Sequence, residues 1–134
     1  MASSLHIVGE RWSLLAIREM SYGVCRFDQI AAYTGASRDI LADRLRKLEA
    51  AGVVERQQYS EHPPRFEYHL TQAGRELRPV LRALAEWGST WAQEPPTSTF
   101  AHDCGHALAL DQVCRHCGET VTPDSMRVLS PQPA

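Results

Sequence analysis

Cysteines and histidines crowd together near the C-terminus of this 134-residue chain. Cys114 and Cys117 have the C-x-x-C spacing that lets two thiolates bind one tetrahedral zinc ion, and Cys104 can supply a third ligand. A fourth ligand must come from His102 or His106, because the chain has no second C-x-x-C pair. The sequence therefore predicts a structural Zn²⁺ site in a small zinc-ribbon-like tail.

Two other structures fit the same tail sequence. The tail could form a metal-free β-hairpin with reduced thiols, or two of its three cysteines could form a reversible disulfide. Cysteines clustered with histidines in a cytosolic chain favour a metal site over a disulfide framework. A catalytic zinc is not expected, because the sequence shows no carboxylate-bearing pocket.

The fourth cysteine, Cys25, lies far from the tail and directly before Arg26. A neighbouring cation lowers the pKa of a thiol and makes it more reactive. A redox role for Cys25 is therefore one hypothesis, and an unreactive, partly buried side chain is the alternative.

A helix predicted over residues 37–51 separates apolar from charged side chains. Leu41, Leu45 and Leu48 fall at i, i+4 and i+7 and form a narrow core stripe. A shorter helix predicted over residues 27–33 precedes it, with a turn containing Gly35 between them. Two helices joined in this way, the second with an outward polar face, are typical of the helix-turn-helix DNA-binding motif. The candidate DNA-contacting residues on this helix are Ser37, Arg38, Asp39, Ala42, Asp43, Arg46 and Lys47.

The charged residues of this helix have different expected roles. Arg38 lies in the first turn, where a side chain can reach base edges, whereas Arg46 and Lys47 would reach phosphates. Asp39 and Asp43 would repel phosphates, so they are expected to orient neighbouring arginines or to accept from a cytosine amino group. The alternative for the whole face is a solvated surface without a partner.

A β-hairpin is predicted after this helix. Residues 53–59 and 65–70 alternate between apolar and polar types, as half-buried strands do. Residues 60–64 contain two prolines, which do not fit inside a strand, and are predicted to form the loop. Arg65 and His62 lie at this tip, where they could contact a phosphate or the minor groove, or could simply be exposed turn residues.

Further helices are predicted on both sides of these elements. Apolar spacing indicates one over residues 10–20, and in the helix over 27–33 we expect Ile30, Ala31 and Tyr33 to face inward. Thr71 is expected to cap a long helix that runs to Trp91 and is kinked at a proline. The large apolar face of this last helix predicts a dimer interface; its members are Leu77, Val80, Leu81, Leu84, Trp87 and Trp91.

The predicted fold class is mainly α with a small β-hairpin wing (α+β), a winged helix-turn-helix followed by a zinc-ribbon-like or β-hairpin tail. The expected boundaries are a DNA-binding and dimerisation domain over 1–92, a linker over 93–101, a Cys/His-rich tail over 102–122 and a flexible end over 123–134. The net charge of −2 is uneven, with +1 on residues 1–92 and −3 on residues 93–134. The net negative charge comes from residues 93–134, so residues 1–92 could still present a basic surface.

Several segments resemble HxlR-type regulators, a winged-helix family with an architecture related to MarR proteins. The resemblance runs through the segments GERWSLLAIR at 9–18, RFDQI at 26–30, LADRLRKL at 41–48, AGVVER at 51–56 and PPRFEYHLT at 63–71. It implies a dimeric DNA-binding regulator whose third helix enters the major groove while the wing contacts the backbone or minor groove. Family members often sense electrophiles or oxidants through a cysteine before the first helix, but residues 1–11 contain none.

These observations together predict a sequence-specific transcriptional regulator, a repressor that binds double-stranded DNA as a homodimer on an inverted-repeat operator. The alternative is a winged-helix protein-interaction module that docks a partner through a zinc-ribbon tail. An enzyme is not expected, because the sequence has no phosphate-binding glycine loop and no hydrolase motif. No apolar run approaches the ~18–20 residues that span a bilayer, so a cytoplasmic protein without membrane contact is expected. A small-molecule inducer would be its remaining partner.

Overall fold

The computed structural model describes residues 1–93, 95 and 100–129. The chain divides into two compact units, Met1–Pro95 and Pro96–Ala134. In the part of the chain that the structure describes, no helix has the length and apolar character needed to cross a membrane. Parts of the predicted linker and flexible end (residues 94, 96–99 and 130–134) lie outside the described residues.

The first unit contains six helices and one two-stranded antiparallel sheet within its described residues. In chain order the elements are α1 Ala2–Val8, α2 Arg11–Ser21, α3 Phe27–Thr34, α4 Arg38–Ala50, β1 Val54–Glu61, β2 Pro64–Leu70, α5 Gln72–Arg75 and α6 Arg78–Trp91. This is the winged helix-turn-helix architecture, with α3 and α4 as the helix-turn-helix and the β1–β2 hairpin as the wing. Helix α1 was not predicted.

Helix α4 has the core stripe that its sequence predicts. Leu41, Leu45 and Leu48 are all buried, and they pack in one core with residues of α2, α3 and the hairpin. The helix begins where Ser37 acts as N-cap, its hydroxyl accepting a hydrogen bond from the backbone N–H of Ile40 at 3.4 Å. Gly35 ends α3 with a φ of 77°, a left-handed conformation that glycine adopts readily.

The inward face of α3 is rotated from the predicted one. Ile30 is buried, and Phe27 and Ala31 pack against the core beside it. Tyr33, which was expected to face inward, is 62% exposed, so this expectation is wrong. The reason is the helical period: Phe27, Ile30 and Ala31 follow the i, i+3, i+4 spacing of one face, and Tyr33 lies at its edge.

The wing hairpin is longer than the sequence predicts. Its strands pair from Val54 opposite Leu70 to Glu61 opposite Pro64, with an irregularity between Gln58 and Ser60. The loop is therefore two residues long (62–63) and not five (60–64) as predicted. Pro64, the second proline of the predicted loop, is the first residue of β2. A proline is tolerated at this end position, because it needs no backbone N–H to continue the ladder there.

The free edge of β2 is partly paired with the segment that precedes α3. The backbone N–H of Tyr68 donates to the carbonyl of Cys25 at 2.7 Å. Arg26 and Glu67 form an isolated antiparallel β-bridge through their backbones. This pairing connects the helix-turn-helix directly to the wing.

The single helix predicted from Thr71 to Trp91 is wrong, because the structure contains two helices there. Thr71 does cap the first, α5, through a 3.3 Å hydrogen bond from the Gly74 N–H. Gly74 itself lies so close to the wing that an added Cβ would be 2.3 Å from the Val53 carbonyl oxygen. Pro79 falls in the first turn of α6, where a missing N–H costs nothing, so it accompanies a helix start instead of a kink.

The described part of the second unit contains two short hairpin-like turns and one 3₁₀ turn, Pro123–Ser125. The first turn is closed by a bridge between Ala101 and Ala107, and the second by a bridge between Val113 and Thr120. Each contains a cysteine followed by a glycine in the left-handed region, with φ values of 87° at residue 105 and 77° at residue 118. Glycine suits both places, because side chains disfavour this conformation.

Candidate nucleic-acid interface

The outward face of α4 is strongly exposed and charged. The side chains of Arg38, Arg46 and Lys47 are 71%, 72% and 61% exposed. Their cationic ends therefore remain available to a partner, while the leucines on the opposite face hold the helix in the core. A rigid helix that presents several cations is suited to bind a phosphate backbone.

Asp43 lies at the centre of this charged face and contacts three cations. Its carboxylate accepts from Arg44 at 2.8 Å and Arg46 at 3.4 Å, and it pairs with Lys47 at 3.1 Å. The hydrogen bond from Lys47 and the nearby positive charges lower the pKa of Asp43 below its usual range. Asp43 therefore lies within reach of the basic side chains beside it, and its role in contacting DNA stays a prediction.

Arg38 is held in place from both sides by α3. Its guanidinium donates to the Asp28 carboxylate and lies 5.0 Å from the centre of the Phe27 ring. Such a cation–π contact, together with the ion pair, restricts an otherwise long and mobile side chain. The first turn of α4 therefore presents a pre-oriented arginine, and the sequence alone does not show these two contacts.

The other predicted residues of α4 have more modest positions. Asp39 is exposed and Ala42 is half-buried. The hydroxyl of Ser37 already accepts from the helix backbone, so this residue serves as the cap of the helix. Arg44 is only 20% exposed and pairs with Glu10 and Asp43, which makes it a link between α4 and the start of α2.

The tip of the wing exposes the two residues predicted there. His62 lies in the turn and Arg65 near the start of β2, opposite Ser60, and both side chains are exposed. The turn is fastened by a 2.9 Å hydrogen bond from the Ser60 hydroxyl to the carbonyl of Pro63. The tip therefore offers two side chains with the capacity for positive charge in a defined hairpin.

The surroundings of Cys25 differ from the prediction. Burial and the neighbouring Glu67 carboxylate raise the pKa of its thiol, and the lowering by Arg26 is the smaller effect. The premise of an activated thiolate next to Arg26 is therefore wrong. Instead, the donor atoms of Cys25, Glu67 and His69 all lie within 4.8 Å of one another, a group that sequence reasoning missed.

The tail donors do not form such a group. In the described part of the chain, Cys25, Glu67 and His69 are the one set of three or more potential ligands that meets this distance. Within the tail, Cys104 Sγ lies 3.7 Å from His106 Nδ1, and the backbone N–H of Cys104 donates to His102 Nδ1 at 3.2 Å. In the second turn, hydrogen bonds donated to the Cys114 sulfur by the backbone N–H groups of Cys117 and His116 lower the pKa of the Cys114 thiol.

Comparison with known proteins identifies the family of the first unit. The model of HxlR-like helix-turn-helix proteins matches residues 7–96. The chain belongs to this family. An HTH-type transcriptional regulator of Mycobacterium tuberculosis is 41% identical over 133 residues, which cover 97% of this chain and 82% of the relative.

Solved structures agree with this HxlR-like assignment. The crystal structure of the transcription factor PA1607 has a TM-score of 0.79 at 32% identity, covering 96% of this chain and 91% of that one. The redox regulator HypR in its reduced form has a TM-score of 0.61 at 33% identity, covering 66% of this chain and 89% of that one. This HxlR-like chain is thus a DNA-binding transcriptional regulator with a winged helix-turn-helix fold.

Proposed function

We propose that this regulator binds an inverted-repeat operator as a homodimer and represses transcription in the cytoplasm, without catalysing a reaction. The observation that carries this proposal is the outward face of α4, where Arg38, Arg46 and Lys47 are exposed on a helix whose other face is fixed in the core. In this arrangement α4 enters the major groove, and the wing residues His62 and Arg65 contact the backbone or minor groove.

Different side chains would supply affinity and specificity. Arg46 and Lys47 lie in the C-terminal half of α4 and are assigned to phosphates, which give salt-dependent affinity. Arg38, oriented by Asp28 and Phe27, is assigned to a base edge. In a two-fold dimer the two α4 helices would be about 34–36 Å apart, in successive major grooves.

The apolar face of α6 supports the homodimer. Val80, Leu84, Trp87 and Trp91 recur at helical spacing and are 53%, 52%, 59% and 73% exposed in the single chain. Large apolar patches on a soluble protein commonly mark interfaces with other proteins. A second copy of the chain, with the same helix facing it, would bury this stripe symmetrically.

Fluorescence anisotropy against a duplex from the upstream region of the gene tests the proposal. The full chain is titrated at two salt concentrations, with a shuffled duplex of equal length as control. We expect the native duplex to bind at least ~10³-fold more tightly at moderate salt, with an affinity that falls steeply as salt rises. Equal weak binding to both duplexes at both salts would contradict an operator in this upstream region, and no binding at low salt would favour the protein-interaction module.

We also propose a structural zinc ion in the tail, supported by the two turns that each place a cysteine before a left-handed glycine. Cys114, Cys117, Cys104 and one of His102 and His106 are the ligands assigned to it. Tetrahedral zinc would require thiolates of the two turns about 3.7 Å apart. Metal analysis of a Cys25→Ser variant, whose remaining thiols all lie in the tail, tests this under reducing conditions. One zinc per chain is expected, Cys117→Ser added to this variant should abolish it, and metal-free Cys25→Ser protein would contradict the proposal.

A further inference from the structure

Three potential metal ligands meet where the segment before α3 pairs with the wing. Glu67 and His69 are two residues apart on β2, so both side chains project from the same face of the hairpin. The backbone of Cys25 is hydrogen-bonded to the intervening Tyr68, which places the cysteine beside that face. All three residues are half-buried, and their donor atoms lie within 4.8 Å of one another.

The distances within this group are close to those around a tetrahedral ion. His69 Nε2 and Glu67 Oε2 are 3.2 Å apart. Two ligands bound at about 2.0 Å and separated by the tetrahedral angle are about 3.3 Å apart. The Glu67–His69 pair is therefore already spaced for binding. The Cys25 sulfur, within 4.8 Å of both, needs to approach by at most about 1.3 Å to reach the ~3.5 Å expected around zinc.

The second oxygen of the carboxylate lies near a cation. Arg26 Nε lies 3.7 Å from Glu67 Oε1, and its guanidinium is also 5.0 Å from the centre of the Tyr59 ring. This ion pair is too long for a hydrogen bond, but it attracts Oε1 toward Arg26 while Oε2 lies near His69. Metal-binding carboxylates are usually oriented by a partner outside the ligand set, and Arg26 is placed for that role.

The donor types narrow the class of ion. One sulfur, one imidazole nitrogen and one carboxylate oxygen suit zinc and chemically similar ions, whereas calcium and magnesium require oxygen ligands. Three protein ligands leave a fourth position for solvent. His69 also lines a cavity of about 340 Å³, together with Glu55 and Gln57 of β1 and with Arg75 and Arg78.

We propose that Cys25, Glu67 and His69 bind a divalent transition-metal ion of the zinc class. This ion would join the segment that leads into α3 to strand β2, two parts of the DNA-binding unit that are far apart in sequence. Cys25 lies just before α3, and β2 is one strand of the wing. The ion would therefore hold the helix-turn-helix and the wing in one fixed arrangement. Metal supply would then modulate DNA binding at a site separate from the tail.

The test uses cobalt as a spectroscopic probe in the full-length chain with Cys104, Cys114 and Cys117 replaced by serine, so that Cys25 is the one remaining thiol. Titration with Co²⁺ under reducing conditions should produce a thiolate-to-cobalt charge-transfer band in the near ultraviolet, with one ion bound per chain. Zinc should abolish the band by displacing cobalt. In this background Cys25→Ser should show no thiolate-to-cobalt band, and Glu67→Gln and His69→Gln should show apparent Kd values weaker by more than about tenfold.

His62→Gln is the matched control, because it removes an exposed imidazole from the wing tip without touching the three ligands. It should bind cobalt as the parent does. Circular dichroism establishes that each variant is folded, and the melting temperature of the parent should rise on addition of zinc. Absence of the charge-transfer band in the folded parent, or a cobalt Kd of His69→Gln equal to that of the parent, would overturn the proposal and leave an ordinary ion pair beside a thiol.

Discussion

Helices α4 and α6 are both amphipathic, but their outward faces are opposite in character. On α4 the exposed face carries Arg38, Arg46 and Lys47, whereas on α6 it carries Leu84, Trp87 and other apolar residues. A charged face is stable in water and gains most from a polyanion. An apolar face is costly in water and gains most from another protein surface. The same fold thus suits one helix to DNA and, in the proposed homodimer, the other to a second subunit.

The inner and outer faces of α4 should differ most in their effect on stability. Leu45 is 1% exposed, and its replacement in Leu45→Ala removes buried methyl groups and leaves a cavity, so the free energy of unfolding should fall by about 2–5 kcal/mol. Arg46→Ala, one position along on the exposed face, should change it by less than about 0.5 kcal/mol. Urea denaturation monitored by circular dichroism measures both. Similar losses in the two variants would contradict the assignment of faces.

This contrast between faces was predictable from the sequence, because helical periodicity is a local property. The leucine stripe, the Ser37 cap and the charged outer face all follow from residues fewer than fifteen positions apart. The pairing of Cys25 with strand β2 was not predictable, since it joins residues more than forty positions apart and no local pattern encodes it. The group of Cys25, Glu67 and His69 was missed for the same reason. The sequence shows only that Glu67 and His69, two positions apart in a predicted strand, lie on the same face of it.

The helix boundaries in residues 71–91 were also predicted wrongly, because the local sequence there fits two structures equally well. The apolar spacing of residues 71–91 is continuous, but Pro79 can either kink a helix or begin one. The structure has the second arrangement, with α5 ending at Arg75 and α6 beginning at Arg78. Close packing of Gly74 against the Val53 carbonyl fixes α5 beneath the wing, and this contact is set by tertiary structure.

Substitution on α6 should weaken the dimer without unfolding the subunit. Trp87 is 59% exposed, so Trp87→Ala removes little from the core of the single chain but a large aromatic contact from a proposed interface. A loss of about 2 kcal/mol, typical of an aromatic hot spot, corresponds to a dimer Kd about 30-fold higher. Sedimentation equilibrium measures this constant. Ile40→Ala, which trims an exposed apolar residue of α4, is the matched control and should leave the Kd unchanged.

Substitutions on α4 should separate base recognition from phosphate binding. Arg38→Ala is expected to weaken binding to the operator duplex by about tenfold and to a shuffled duplex by less. Lys47→Ala should weaken both about equally and reduce the dependence of log K on log salt by about one. Fluorescence anisotropy at several salt concentrations distinguishes the two. Arg78→Ala, an exposed arginine of α6, serves as control, and an operator-selective loss there would contradict the division between the helices.

The smallest expected effect concerns Asp43, the acidic residue that contacts Arg46 and Lys47. Asp43→Asn keeps the shape of the side chain and removes a negative charge that neutralises Arg46 and Lys47. Binding should therefore become modestly tighter on operator and shuffled duplexes alike, with a slightly steeper salt dependence. A selective loss on the operator would instead mean that Asp43 reads a base, as an acceptor for a cytosine amino group.

The pH dependence of stability gives the same residue an independent test. The hydrogen bond from Lys47 and the adjacent positive charges lower the pKa of Asp43 in the folded chain, so its ion pairs stabilise the fold above the ordinary aspartate pKa. That contribution is lost only as the pH falls through the lower, folded-state value. The free energy of unfolding is measured by urea denaturation at several pH values for wild type and Asp43→Asn. The difference between the two should shrink as the pH is lowered. A difference that is constant with pH would show that the ion pairs around Asp43 contribute no net stability, leaving it to act on DNA affinity alone.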